Sequence, residues 1–259
     1  PMPRAAVSHE TGQKMAQGIG FYGKLPCVGD FVSRRLPTEF IRPWDLWLQE
    51  SLAGSQARLG EAWLANYLTS PLWRFVLTPG IAGQTPWCGV LMPSVDRVGR
   101  YFPLTLACPL AAGVNPLRLL GETAWFEQLE EVVLSGLDES CSLPGFDALV
   151  QALGEPTTEP IPSPQPGGGG KTRANAWRVP ADSPTVLDGH CSMLLSLALE
   201  QVFCAFSLWW TTGSERVPPS GLICQGLPPT DGFSAMLAGD WGDAGWWDLA
   251  IQPPSGTTG

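Results

Sequence analysis

Residues 73–110 read WRFVLTPGIAGQTPWCGVLMPSVDRVGRYFPLTLACPL, and this stretch decides the fold. It holds three strand-length apolar runs, WRFVL (73–77), WCGVLM (87–92) and PLTLACPL (103–110). The connectors PGIAGQTP and PSVDRVGRY have no room for a crossover helix, so the three strands pair antiparallel. Upstream, Ile41, Trp44, Leu48 and Leu52 recur at threes and fours with Trp47 alongside, which predicts a helix from Thr38 to about Gly60. Pro43 is placed in its first turn or as a kink at its entry. A second helix over 61–69 stops before Ser70-Pro71.

Further outward, GIGFYGKLP reads as a short extended piece, CVGDFVSRRLP as a loop, and residues 1–17 as a loose leader. Downstream, Asn115-Pro116 is a helix start, with Trp125, Leu129, Val132 and Val133 on one face to about Leu137. A shorter helix covers 144–153, and a Pro/Gly-rich linker 154–175. AWRVP then reads as a strand, 183–201 as a helix, FCAFSLWWTT and GLICQGLP as a strand pair, and 230–238 as a short helix. The fold class is α/β: a mixed, mainly antiparallel sheet with helices packed on its faces, a layered sandwich. Residues 18–239 form one domain, and 240–259 a Trp/Asp-containing tail.

Composition narrows the function. The 259 residues carry a net charge of −9 and no Lys/Arg stripe, which disfavours nucleic acid and anionic membrane surfaces as partners. The most apolar window, 191–210, is interrupted by Glu200 and Gln201, and no membrane insertion is expected. The seven cysteines are odd in number, lack a Cys-x-x-Cys pair and mostly have apolar neighbours, as expected of buried, reduced thiols in a cytoplasmic protein. With only His9 and His190 as partners, no zinc site is expected.

The search for reactive groups returns little. Gly170-Lys171-Thr172 ends a glycine run, but position 165, where a phosphate-binding loop needs glycine, is Gln165, and no strand precedes it. In Asp188, His190 and Cys191 the base and nucleophile are adjacent, and neighbours on a helix point in different directions, so they do not face one substrate together. Glu122, Glu127, Glu130 and Glu131 read as a solvated helix face.

Two polar loops stand out. Ser94-Val95-Asp96-Arg97-Val98-Gly99-Arg100-Tyr101 sits between two apolar strands, and Asp96 can pair with Arg97 or Arg100 across it. Gly29-Asp30-Phe31-Val32-Ser33-Arg34-Arg35 likewise sets an acid beside two arginines. Two readings stay open: turns closed by ion pairs of little energetic worth, or a recognition surface of loops on a rigid scaffold. In the tail, Trp246 and Trp247 either pack back on the domain or contact a partner.

The stretches GFYGKLPCVGDFVSRRLP (20–37), WDLWLQESL (44–52), the whole of 73–110 and SLWWTTGS (207–214) resemble TagF, a family of type VI secretion-associated regulators. The resemblance runs from about residue 18 to 240 and implies a non-enzymatic, post-translational repressor. It implies a cytoplasmic protein that binds the system's forkhead-associated scaffold and acts alongside a separate threonine-phosphorylation switch. Some members are fused to a metal-dependent phosphatase, but this sequence lacks the aspartate clusters of a two-metal site. No catalytic residues, cofactor or metal are carried over. The loop residues Asp30, Arg34, Arg35, Ser94, Asp96, Arg97 and Arg100 are the candidate interaction positions, with Trp246 and Trp247 as possible aromatic contacts. The alternatives are a nucleotide- or ligand-responsive switch or enzyme built from the Asp30 and Asp96 loops, and a structural accessory subunit of the apparatus.

Overall fold

The three apolar runs become adjacent strands at the centre of a seven-stranded sheet in the computed structural model, which describes residues 18–158, 184–242 and 245–247. In chain order the elements are β1 (Gly20–Lys24), β2 (Phe31–Arg34), α1 (Thr38–Leu59), α2 (Trp63–Leu68), β3 (Trp73–Leu77), β4 (Trp87–Met92) and β5 (Leu104–Pro109). Then follow α3 (Thr123–Ser135), α4 (Leu143–Ala152), α5 (Pro184–Val202), β6 (Phe206–Thr211), β7 (Ser220–Gln225) and α6 (Phe233–Ala238). The strand order is β2-β1-β5-β4-β3-β6-β7, and every pairing is antiparallel.

The central strands are almost wholly apolar, with Arg74 and Thr105 as the polar exceptions, because both of their faces are covered. On one face, Trp73, Phe75, Trp87, Leu91 and Trp209 pack against Phe40, Trp44, Trp47 and Leu48 of α1 and against Phe233 and Met236 of α6. On the other, Val76, Cys88, Val90, Leu106 and Phe206 meet Phe126, Leu129 and Val133 of α3 and Phe146 and Val150 of α4. The alternation of side chains along each strand thus feeds two cores.

Aromatic rings fill the first core. Trp44 stacks on Trp209, with centroids 5.8 Å apart and planes 9° apart, and leans on Phe75 at 4.8 Å. Each buried indole N–H has an acceptor, as burial of a tryptophan requires. Trp44 donates to Thr105 Oγ1, Trp47 to Pro228 O, Trp63 to Ser55 Oγ, and Trp73 to Met236 O. The strands approach closely at Gly89, where a Cβ would stand 2.0 Å from Leu106 O and 2.8 Å from the Phe75 ring.

Several expectations need correction. CVGDFVSRRLP is not all loop: Phe31–Arg34 is an edge strand paired with β1. Only Val32 of its four residues is buried, so no apolar run betrays it. Pro43 lies inside α1 rather than in its first turn. Asn115 caps a short 3-10 turn, accepting from Leu117 N, and α3 begins only at Thr123. Glu130 is no part of a solvated face: it makes a two-pronged ion pair with Arg74 of β3, at 2.7 and 2.8 Å. The geometry suits guanidinium and carboxylate, and it neutralises an arginine in an otherwise apolar strand. Among the cysteines, Cys88, Cys108 and Cys224 are buried, Cys27 and Cys141 half-buried, and Cys191 and Cys204 exposed. The leader over 1–17, most of the linker and the AWRVP strand lie outside the described residues.

Trp44→Ala should cost about 3–5 kcal/mol, because it empties a ring-lined site and orphans the Thr105 hydroxyl. In a chain of this size that lowers Tm by roughly 10 °C, measurable by circular dichroism, with Trp44→Phe losing distinctly less.

Candidate functional site

The two polar loops meet at the end of the sheet where β1 and β5 adjoin. β1 turns into β2 through Leu25–Asp30, with Val28 N donating to Leu25 O at 3.0 Å. The connection from β4 to β5 reverses at Asp96–Gly99, where Gly99 N donates to Asp96 O and Gly99 adopts φ +86°. An aspartate opening a turn that a glycine closes is a stable local arrangement. A single bridge pairs Val95 with Tyr101 at its base.

Beneath the loops lies a buried charge cluster. Lys24 Nζ is 2.9 Å from Asp96 Oδ2, and the two side chains are 5% and 0% exposed. Arg100 Nε donates to the same oxygen at 2.7 Å, while Oδ1 accepts from Val98 N and Arg100 N. Burial alone would push the Asp96 carboxyl up. The Arg100 N–H, the Lys24 and Arg100 side chains and the Val98 N–H together outweigh it and hold the group well below the ordinary carboxylate range.

The cluster also locks one loop to the other. Arg100 Nη2 donates to Gly29 O at 2.7 Å, and Arg97 N donates to Val28 O at 3.0 Å. Ser94 Oγ donates to Lys24 O, and the Tyr67 hydroxyl donates to Ser94 O while accepting from Ser94 N. Burial raises the Tyr67 hydroxyl far above its usual range, so it stays protonated as a two-way strut between α2 and the loop.

The seven candidate positions therefore divide. Ser94 and Asp96 point inward and frame the loop. Arg35 is also committed: it has φ 59°, donates to Ile19 O at 2.7 Å and pairs with Asp147 of α4 at 2.6 Å. Arg100 has its head in the cluster while its side chain stays 57% exposed. Asp30, Arg34 and Arg97 form the outward set, with the Arg97 guanidinium passing over Gly29. The same two loops also expose two apolar side chains that the loop reading passed over: Phe31, 44% exposed, and Val98, 66% exposed. Phe31 is held by stacking on Tyr22 at 5.9 Å, by the Phe102 edge at 4.8 Å and by Lys24 Nζ at 5.0 Å from its ring. Tyr22 in turn donates to Asp45 of α1 at 2.6 Å.

Lys24 and Phe31 are the participants that sequence reasoning missed. Lys24 carried a usable signal. In GFYGK it shares a face with Tyr22, so a lysine there points where a strand packs and needs a counter-charge. The carboxylates of Asp30 and Asp96 are spent separately, since Asp30 Oδ1 accepts from Phe31 N at 2.8 Å. A cavity of about 100 Å³ lies elsewhere, lined by residues including Val76, Leu110, Val114 and Glu200. In the tail, Trp246 packs back, donating to Gly232 O and meeting the Trp241 ring, whereas Trp247 is 95% exposed. No helix among the described residues is long and apolar enough to cross a membrane.

Fold and site together define a three-layer α/β scaffold with an all-antiparallel described sheet and two charge-braced loops at one end. The chain belongs to the TagF family: the TagF N-terminal domain, type VI secretion system-associated, matches residues 20–153. That match links the protein to type VI secretion. It is also similar to the crystal structure of PA0076 from Pseudomonas aeruginosa PAO1, with 40% sequence identity and a TM-score of 0.74 over 91% of this chain and 99% of that one. Comparison with curated proteins finds no match.

Asp96→Asn should lower Tm at neutral pH. A carboxyl held below its ordinary range stabilises the fold above that range and ceases to do so as pH falls through its folded value. The gap between wild type and variant should thus be largest above about pH 5 and close progressively below about pH 4, as followed by thermal melts across pH.

Proposed function

We propose that this chain is a non-enzymatic, post-translational repressor of type VI secretion that acts in the cytoplasm by binding the forkhead-associated scaffold component of the system. The observation that carries the reading is that the family-matched segment contains the whole braced face: β1, β2 and the β4–β5 connection all fall within 20–153. The face has the make-up of a contact surface: it exposes the apolar side chains of Phe31 and Val98 together with Asp30, Arg34 and Arg97. Guanidinium groups at such a rim steer and orient a partner, while the aromatic ring contributes the desolvated contact.

Repression by withholding a scaffold needs no chemistry, and its extent follows affinity and concentration. The chemistry of Asp96 suits this role. A carboxylate saturated with donors and held far below its usual range is a poor base and a good brace. Pre-organisation of the loops from beneath reduces the ordering cost on association.

Calorimetric titration of the purified chain against the purified forkhead-associated scaffold should show binding at about micromolar Kd or tighter. The Arg34→Glu, Arg97→Glu double variant, whose substituted side chains are exposed, should melt like wild type and bind roughly 10-fold or more weakly. Absence of heat and of co-migration for the wild-type chain would overturn direct capture of the scaffold.

A further inference from the structure

Cys27 and Cys141 are 114 positions apart in the chain, yet their sulfurs stand 3.3 Å from each other. Cys27 lies in the turn between β1 and β2, and Cys141 lies between α3 and α4, its N–H donating to Asp138 O at 2.9 Å. Both are half-buried, and neither sits in a strand or helix. Cys88 and Cys108 also oppose each other, across β4 and β5, but they are sealed inside the core. The Cys27–Cys141 pair thus combines mutual contact with access from outside.

We propose that Cys27 and Cys141 are an oxidation site at which a hydroperoxide closes an intramolecular disulfide, clipping the β1–β2 turn to the α3–α4 connection. The sulfurs need to approach by about 1.3 Å to reach bonding distance, a movement shared between two irregular segments. The Cys27 thiol gives up its proton and its sulfur attacks one oxygen of hydrogen peroxide; the O–O bond breaks, the other oxygen takes up that proton and leaves as water, and Cys27 becomes a sulfenic acid. The Cys141 sulfur then attacks the Cys27 sulfur, the S–O bond breaks, and the hydroxyl departs with the Cys141 proton as a second water. One peroxide is reduced by two electrons and two thiols are oxidised. Burial, then the hydrogen bond with Cys27 and the charges of Cys27 and Asp138, push the Cys141 thiol up to about 12, which disfavours Cys141 as the thiolate of the first step.

The clip bears on the face described above. Val28 and Gly29, the residues after Cys27, supply the carbonyls that receive Arg97 N and Arg100 Nη2. A disulfide at Cys27 therefore fixes the floor on which the two loops are joined. Its formation does not depend on the partner proposed for that face.

The test is peptide mapping of the full chain after treatment with hydrogen peroxide, alkylation with iodoacetamide and digestion without reductant. The expected result is a linked Cys27–Cys141 peptide that dithiothreitol releases, with Tm raised by roughly 5–15 °C in the oxidised protein. Cys27→Ala and Cys141→Ala should each abolish the linked peptide and the Tm rise, leaving Cys191 and Cys204 reacting as in wild type. Recovery of Cys27 and Cys141 as separate alkylated or sulfinic peptides from the wild-type chain, with no linked form, would overturn the proposal. Because the readout involves no partner, it stands apart from success or failure of scaffold binding.

Discussion

A lysine and an aspartate buried side by side, Lys24 and Asp96, join the sheet to the loops at its end, and the arrangement of the outer surface hangs on that pair. Two charges out of water are costly unless nearly every donor and acceptor is matched. Here the matching is close: Asp96 receives Lys24, the Arg100 side chain and two backbone N–H groups, and Lys24 also reaches Arg100 O. The requirement that the charges be satisfied dictates the loop's path. Any rearrangement of 94–101 strands a lysine in a half-apolar site against the Phe31 ring. A hydrophobic pair could fill the same space but would leave the loops without a fixed register.

The sheet supplies the rigid base for this arrangement. With β3, β4 and β5 covered on both faces, their ends cannot shift without opening one of two cores. Tyr67 carries that rigidity from α2 into the loop through its two bonds with Ser94. Arg35 does the same from α4 by way of Asp147. The exposed members of the face, Asp30, Phe31, Arg34, Arg97 and Val98, thus project from backbone anchored from three sides. Such a surface meets a partner with little ordering left to do.

The parts of the fold legible in the sequence were those where burial writes a long pattern. β3 and β4 were bounded residue for residue, because a strand buried on both faces is a nearly continuous apolar run, broken in β3 only by Arg74. α1 was legible from Trp44, Trp47, Leu48 and Leu52, which all face one core. β2 was not, because an edge strand with one buried residue leaves no such trace. The site was half legible. Loops with an acid near arginines were found, and Asp96 does pair with Arg100, but direction was not readable. Whether a carboxylate faces in or out depends on a counter-charge far along the chain, and Lys24 is 72 positions from Asp96 (96 − 24). Arg35 misled for the same reason, since its partner Asp147 comes from another layer. Long-range pairing of charges is set by topology, which local composition does not encode.

Asp96 braces both loops at once, and amide hydrogen exchange of Asp96→Asn against wild type, read residue by residue, separates this role from that of a local turn former. The amides of Arg97, Val98 and Arg100 should lose protection together with those of Val28 and Phe31, while the amides of β3, β4 and β5 stay protected. Loss confined to Val98 and Arg100, with Val28 and Phe31 unchanged, would contradict the bracing role and leave Asp96 as a local turn residue only.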